Sequence, residues 1–256
     1  MSIVTLTSDF GYRDHYAAMV KARIWQSYTQ TTIVDVSHGI EPFNVAEGAH
    51  VLKAAYPTFL PNTVHIFAVQ GGYTVDRHIA FAWDQHYFVG RDNGFVGLLA
   101  EADMTQCVEL KADPVSTATF FAQTLYAPVA AKLAQGVSLQ ELGRPTTTPR
   151  RFTAKKPRIA EKKIVGHVIH VDHYGNLVTN ITQDIFMQQF RSKKFEIRFA
   201  RESIYKLHAD YTQVEPGDCV CLFNSLALLE IAIDQGNAST LLGLQHDSPV
   251  GISFYV

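Results

Sequence analysis

Two hydrophobic rhythms alternate through the first half of the chain. Residues 3–9 (IVTLTSD), 31–38 (TTIVDVSH) and 63–69 (TVHIFAV) are short apolar runs rich in Val, Ile and Thr, the pattern of buried strands. Between them, residues 14–28 (DHYAAMVKARIWQSY) place apolar residues at Ala17, Val20, Ile24 and Tyr28, the spacing of one helix face. Residues 44–59 (NVAEGAHVLKAAYPTF) predict a second helix, with Asn44 as N-cap, Glu47 three residues later and Pro57 at the end. Further on come HIAFAWDQHYFVG, a turn at RDNG, FVGLLAEA, and a later helix over FFAQTLYAPVAAKLAQG closed by Gly136. Apolar strands alternating with helices predict an α/β sandwich-like domain whose mostly parallel sheet is covered on both faces.

The rhythm changes at residues 143–163 (GRPTTTPRRFTAKKPRIAEKK), which hold three Pro and eight of the 22 Lys and Arg. That composition reads as an exposed linker. Beyond it, KIVGHVIHVDHYGNLVTNI, KFEIRFA and CVCLFNSLALLEIAI are short strand patterns separated by turns such as EPGD. The division is therefore an N-terminal α/β domain over residues 1–143, a linker over 144–163, and a small C-terminal β-barrel domain over 164–256.

Composition narrows the function. Of the 256 residues 47% are hydrophobic and 18% charged, enough apolar content for a sizeable core. A net charge of -2 argues against nucleic acid as the main partner. No apolar run reaches the length of about 18 residues that a spanning helix needs, and the first residues read as a strand rather than a signal peptide. Cys107, Cys219 and Cys221 form neither a CxxC nor a disulfide framework, so free thiols in a reducing cytoplasm are expected. No metal site is expected: His167, His170 and His173 recur every third residue, but a strand splits that spacing between two faces.

Candidate chemistry gathers where strands end. TSDFGYRD places Asp9 after the first strand, VDHYGN carries Asp172 and Asn176, and FNS carries Asn224 and Ser225. In α/β sheets ligands sit at the carboxyl ends of strands, and Asp9 suits the hydroxyls of a sugar; a turn or cap role is the competing reading for both acids. The turn VQGGYTVDR, after the third strand, offers no acid, His, Cys or Ser before Asp76 and Arg77.

Taken in order, LTSDFGYRDHYAAMVKARI, IVDVSHGIEPFNVAEGAHVLKAAYPTFLPNTVHIFAV, FVGRDNGFVGLL, YAPVAAKLAQG, ELGRP, VIHVDHYGNLVTNI and NSLALLEIAIDQGNASTLLG resemble the S-adenosylmethionine (SAM) hydroxide adenosyltransferases, relatives of fluorinase and chlorinase. The resemblance spans nearly the whole chain. It implies a homotrimer that binds SAM, as substrate rather than cofactor, between one subunit's N-terminal domain and its neighbour's C-terminal domain. It further implies that Asp9 holds the ribose hydroxyls and that Phe43 lies near the sugar and sulfonium. Asp172 would face the methionine ammonium and Ser225 its carboxylate. Tyr174 and Tyr211 would flank the adenine, with Asn176 hydrogen-bonding it. The chemistry fits: carboxylates suit a diol or an ammonium, and aromatic faces suit adenine and a sulfonium.

The same resemblance shows what has changed. Where the hydrolases carry Val-Asp-Pro-Gly-Val-Gly and then Arg, this chain has Gln70 at the Asp, Gly71 at the Pro, and Arg77 retained. Where they carry Thr-Phe-His-Gly-Arg-Asp, this chain reads TFFAQT, with Phe121 at the His. Two of the three residues proposed to hold and activate water are thus replaced. Displacement at the ribose C5′ expels methionine as a neutral thioether, so the demand falls on the nucleophile, and losing general-base help lowers the rate roughly 10²–10⁴-fold. Gln70 can orient a water but cannot take its proton. Three activities remain open: a slow SAM hydrolase releasing adenosine and L-methionine, an inactive SAM- or adenosine-binding protein, and a halogenase whose halide needs no base.

Overall fold

The computed structural model describes residues 2–69, 77–100, 106–111, 119–190 and 194–255. The chain forms two compact units, Met1–Ala154 and Lys155–Val256, which divide inside the Pro- and Lys/Arg-rich stretch.

The first unit contains β1 (Ile3–Ser8), α1 (Tyr16–Ser27), β2 (Thr32–Ser37), α2 (Val45–Ala55), β3 (Val64–Ala68), β4 (His78–Trp83), β5 (His86–Arg91), α3 (Phe95–Leu99), β6 (Gln106–Leu110), α4 (Ala127–Ala134), α5 (Leu139–Leu142) and β7 (Gly143–Pro145). Among the described residues its strands are ordered β2-β1-β3-β5-β4-β6-β7. The β2-β1-β3-β5 half is parallel, while β4, β6 and β7 pair antiparallel. The sheet is therefore less parallel than its sequence rhythm suggests. The cause is local: residues 78–91 fold as a β4–β5 hairpin whose turn residues Asp84 and Gln85 both take positive φ, 48° and 64°. Two such residues give a turn whose twist matches that of the flanking strands.

Helices cover both faces. Val20 and Ile24 of α1 pack with Ala127, Ala130 and Leu133 of α4 over Val4, Leu6, Val64 and Ile66. On the other face Val45 and Leu52 of α2 and Phe95, Val96 and Leu99 of α3 pack with Phe67, Ile79, Phe81 and Phe88. Asn44 caps α2 as its sequence predicts, its Oδ1 accepting the Glu47 N–H at 3.0 Å, while Glu47 Oε2 accepts from Glu41 N. The helix predicted over residues 120–136 begins with a widened π-type turn, Ala122–Tyr126, before α4. Such turns are rare and often lie at functional sites.

The second unit contains β8 (Arg158–Ala160), β9 (Lys163–Val171), β10 (Leu177–Thr182), α6 (Gln183–Phe190), β11 (Lys194–Phe199), β12 (Glu202–Ile204), β13 (Cys219–Phe223), β14 (Leu228–Ile233), α7 (Ala238–Leu242) and β15 (Pro249–Tyr255). They form a barrel-like eight-stranded sheet ordered β12-β11-β15-β9-β10-β14-β13, with β8 against β9. Its interior holds Ile164, Val168, Leu177, Ile181, Phe186, Ile197, Cys221, Ile231 and Ile252. Two tight connections, β9–β10 and β13–β14, carry Asp172, Tyr174, Asn176 and Ser225. The stretch read as an exposed linker contributes β7 to one sheet and β8 to the other. Among the described residues no helix is long and apolar enough to cross a membrane.

Candidate functional site

Asp9 directly follows β1. From β1 the parallel order runs to β2 on one side and β3 on the other. A crevice opens at such a switch because neighbouring connections leave in opposite directions. The carboxylate of Asp9 is half-buried there and its Oδ2 accepts the backbone N–H of Phe43 at 3.0 Å. Phe43 reaches that position in the left-handed region, φ 69°, uncommon for a bulky residue, and its ring is 58% exposed. An aromatic residue held in a strained conformation beside a carboxylate marks a place where geometry outweighs local preference.

The groups taken for water handling lie further along. Gln70 falls outside the described residues. The Phe121 ring packs on that of His78, centroids 4.3 Å apart, and His78 Nδ1 lies 2.7 Å from the Tyr126 hydroxyl. His78 is buried, and its sequence position, one residue past Arg77 in a strand, gave little hint that it would sit beneath Phe121. Arg77 is engaged elsewhere. Its Nε donates to Asp92 Oδ2 at 2.6 Å, its Nη2 pairs with the same oxygen, and Nη2 also donates to the Thr148 carbonyl. Asp92 is buried, and its other oxygen accepts the Arg150 N–H at 2.7 Å. A buried carboxylate so paired holds the guanidinium firmly, because breaking the pair would leave an uncompensated charge. Phe120, the neighbour of Phe121, meets Phe10 and Tyr16 edge-on, so aromatic rings gather at this corner.

In the second unit the β9–β10 connection is an Asx-type turn. Asp172 Oδ1 accepts from the N–H groups of Tyr174 and Asn176, both at 2.9 Å, and Oδ2 accepts from Asn176 Nδ2 at 3.0 Å. The turn closes through Gly175, φ 87°, where a Cβ would lie 2.2 Å from the Asn237 side chain, so only glycine fits. Asp172 therefore serves as a turn residue, and the turn leaves the Tyr174 ring 76% exposed while Asn176 is buried. Tyr211 is fixed by a carboxylate from β14. Glu230, buried on β14 opposite Val178 of β10, accepts from the Tyr211 hydroxyl at 2.6 Å and from Asn224 Nδ2 at 3.0 Å. Burial first, then the Glu230 carboxylate and the charge of Asp172, pushes the Tyr211 hydroxyl far above its ordinary pKa. Asn224 also accepts from Leu226 N and Leu228 N and so sets the turn on which Ser225 stands exposed. A lone Glu in an apolar strand was the available signal for Glu230: a carboxylate in such a place needs partners.

Residues 4–143 match the sequence model of the SAM hydroxide adenosyltransferase N-terminal domain, and residues 166–251 that of its C-terminal domain. An (R)-S-adenosyl-L-methionine hydrolase of Salinispora tropica is 30% identical, with 94% of each chain covered. One of Methanocaldococcus jannaschii is 29% identical over 99% of this chain and 97% of its own. A fluorinase of Actinopolyspora mzabensis is 24% identical over 90% of each. Among solved structures, an uncharacterized conserved protein from Thermotoga maritima superposes with a TM-score of 0.89 at 30% identity, covering 98% of this chain and 99% of that one.

Proposed function

The chain belongs to the SAM hydroxide adenosyltransferase family, and from that premise we propose that it is a SAM hydrolase-like protein acting slowly: S-adenosyl-L-methionine and water give adenosine and L-methionine. The water oxygen bonds to C5′, the C5′–S bond breaks with its electron pair going to sulfur, and a water proton passes to solvent. The observation that carries the reading is the Asp9 carboxylate, anchored by the Phe43 amide at the sheet's switch point, where a ribose diol would find its acceptor. In this reading Phe43 borders the sugar and sulfonium, Tyr174, Tyr211 and Asn176 take the adenine, and Asp172 and Ser225 take the amino-acid end. SAM is a substrate, no cofactor takes part, and the protein assembles as a cyclic homotrimer in the cytoplasm.

A second reading has its own observation. Phe121 lies against His78, and Arg77 is held by Asp92, so these two positions present a ring and a committed cation where a base would be needed. That arrangement suits a SAM- or adenosine-binding protein without turnover. Incubating the purified protein with SAM and identifying products by mass spectrometry separates the two. Adenosine and methionine in equal amounts support hydrolysis. Calorimetric binding of SAM with no product supports the binding protein, and 5′-halo-adenosine in the presence of halide would overturn both.

A further inference from the structure

His38 touches the loop that presents Asp9 at every residue around it. Its Nδ1 lies 2.6 Å from the buried Ser8 Oγ. Its ring lies nearly parallel to that of Phe10, 11° between planes with centroids 6.3 Å apart. Its carbonyl accepts the Gly11 N–H at 2.8 Å. Its own N–H donates to the Tyr12 hydroxyl at 3.1 Å. Residues 8, 10, 11 and 12 are thus all fixed by one residue, and the residue left between them is Asp9. Gly11, at φ 71°, makes the sharp bend this wrapping needs.

The ring is itself oriented from behind. Its Nε2 lies 3.1 Å from Asp35 Oδ1, a close but poorly aligned approach, and Asp35 Oδ2 accepts from Lys21 Nζ at 2.5 Å. Burial would raise the Asp35 pKa, but the Lys21 hydrogen bond and the nearby His38 ring together outweigh it and hold the pKa below its ordinary value. An ionised carboxylate only accepts, so Asp35 favours the tautomer with the proton on the nearby Nε2, which leaves Nδ1 to accept from the Ser8 hydroxyl.

We propose that His38, oriented by Asp35, is the positioning residue that holds the Asp9 carboxylate in its ligand-receiving geometry. The proposal rests on the reading of Asp9 as the ribose acceptor. It adds that the affinity of Asp9 for a nucleoside is set one strand away, on the residue following β2.

Two measurements on the full chain test it. Nitrogen-15 NMR of the imidazoles should show His38 as the Nε2–H tautomer, shifting toward a tautomer mixture in Asp35→Asn; a wild-type ring protonated on Nδ1 would overturn the proposal. Calorimetry with adenosine should show His38→Ala binding about tenfold more weakly or worse, the loss expected when a buried hydroxyl loses its partner and the loop its anchor. His38→Asn, whose Oδ1 can take the place of Nδ1, should recover part of that loss. A lowered melting temperature in His38→Ala with unchanged adenosine affinity would mean a purely structural role and overturn the proposal. Should the wild type bind neither adenosine nor SAM, the functional reading fails, and hydrogen exchange then decides the positioning. Faster exchange at Phe10, Gly11 and Tyr12 in His38→Ala supports it, and unchanged exchange overturns it.

Discussion

Glu230 illustrates how one buried carboxylate can set two loops at once. It accepts from Tyr211 and from Asn224, and Asn224 in turn shapes the tip carrying Ser225. Glu230→Gln replaces an acceptor with a donor and leaves one of the two partners facing an N–H group. The expected loss is about 1–3 kcal/mol, read from urea unfolding, because a buried polar group without its partner forfeits its desolvation energy. Tyr211 reports on the same change. Its hydroxyl pKa, raised first by burial and then by Glu230, should fall toward about 10 in Glu230→Gln without reaching it, because burial persists. Ultraviolet difference titration against a Tyr211→Phe control measures this; an unchanged Tyr211 titration would remove Glu230 as its partner.

At the level of elements, the parallel half of the first sheet carries a polar line across its interior. Thr5 of β1 lies 2.7 Å from His65 Nδ1 on β3, and His65 Nε2 lies 3.2 Å from His86 Nδ1 on β5. Thr5 and His65 are register partners, and His86 stands two residues before Phe88, the register partner of His65 on β5. Burial first, and then the adjacent His86, lowers the His65 pKa to about 3; burial lowers that of His86 as well, against the opposing charge of Asp84. The unfolded chain protonates these rings near pH 6.5 while the folded one does not, so the unfolded state binds more protons between that pH and about 3. Stability is therefore full above about pH 6.5 and falls as pH drops toward 3, by up to about 1.4 kcal/mol per pH unit for His65 alone. Urea unfolding of the wild type and His65→Phe across that range should show a shallower acid slope in the variant. Parallel slopes would show that His65 is not the group responsible.

For the whole molecule, the residues proposed to meet SAM are shared between two separately folded units: Asp9 and Phe43 in the first, Asp172, Tyr174, Asn176, Tyr211 and Ser225 in the second. If the site is completed between subunits, the protein must be a closed oligomer, and light scattering at micromolar concentration should give the mass of three chains; the mass of one chain would overturn the trimer. The alternation of strands and helices, the Asn44 cap, the change of texture past residue 143 and the ordered family motifs could all be read from sequence, because each depends on residues near one another along the chain. The antiparallel β4–β5 hairpin could not, since a buried run of the same composition serves either direction. Nor could the commitment of Arg77 to Asp92, the ring of Phe121 over His78, or the pairing of Glu230 with Tyr211. Hydrogen bonds and buried charges are settled by which distant groups the fold brings within about 3 Å, and pattern along the chain holds no record of that distance. His38 shows the division most clearly: its sequence places it just past a strand, and only the packing of β2 beside β1 makes it the residue around which the Asp9 loop is wrapped.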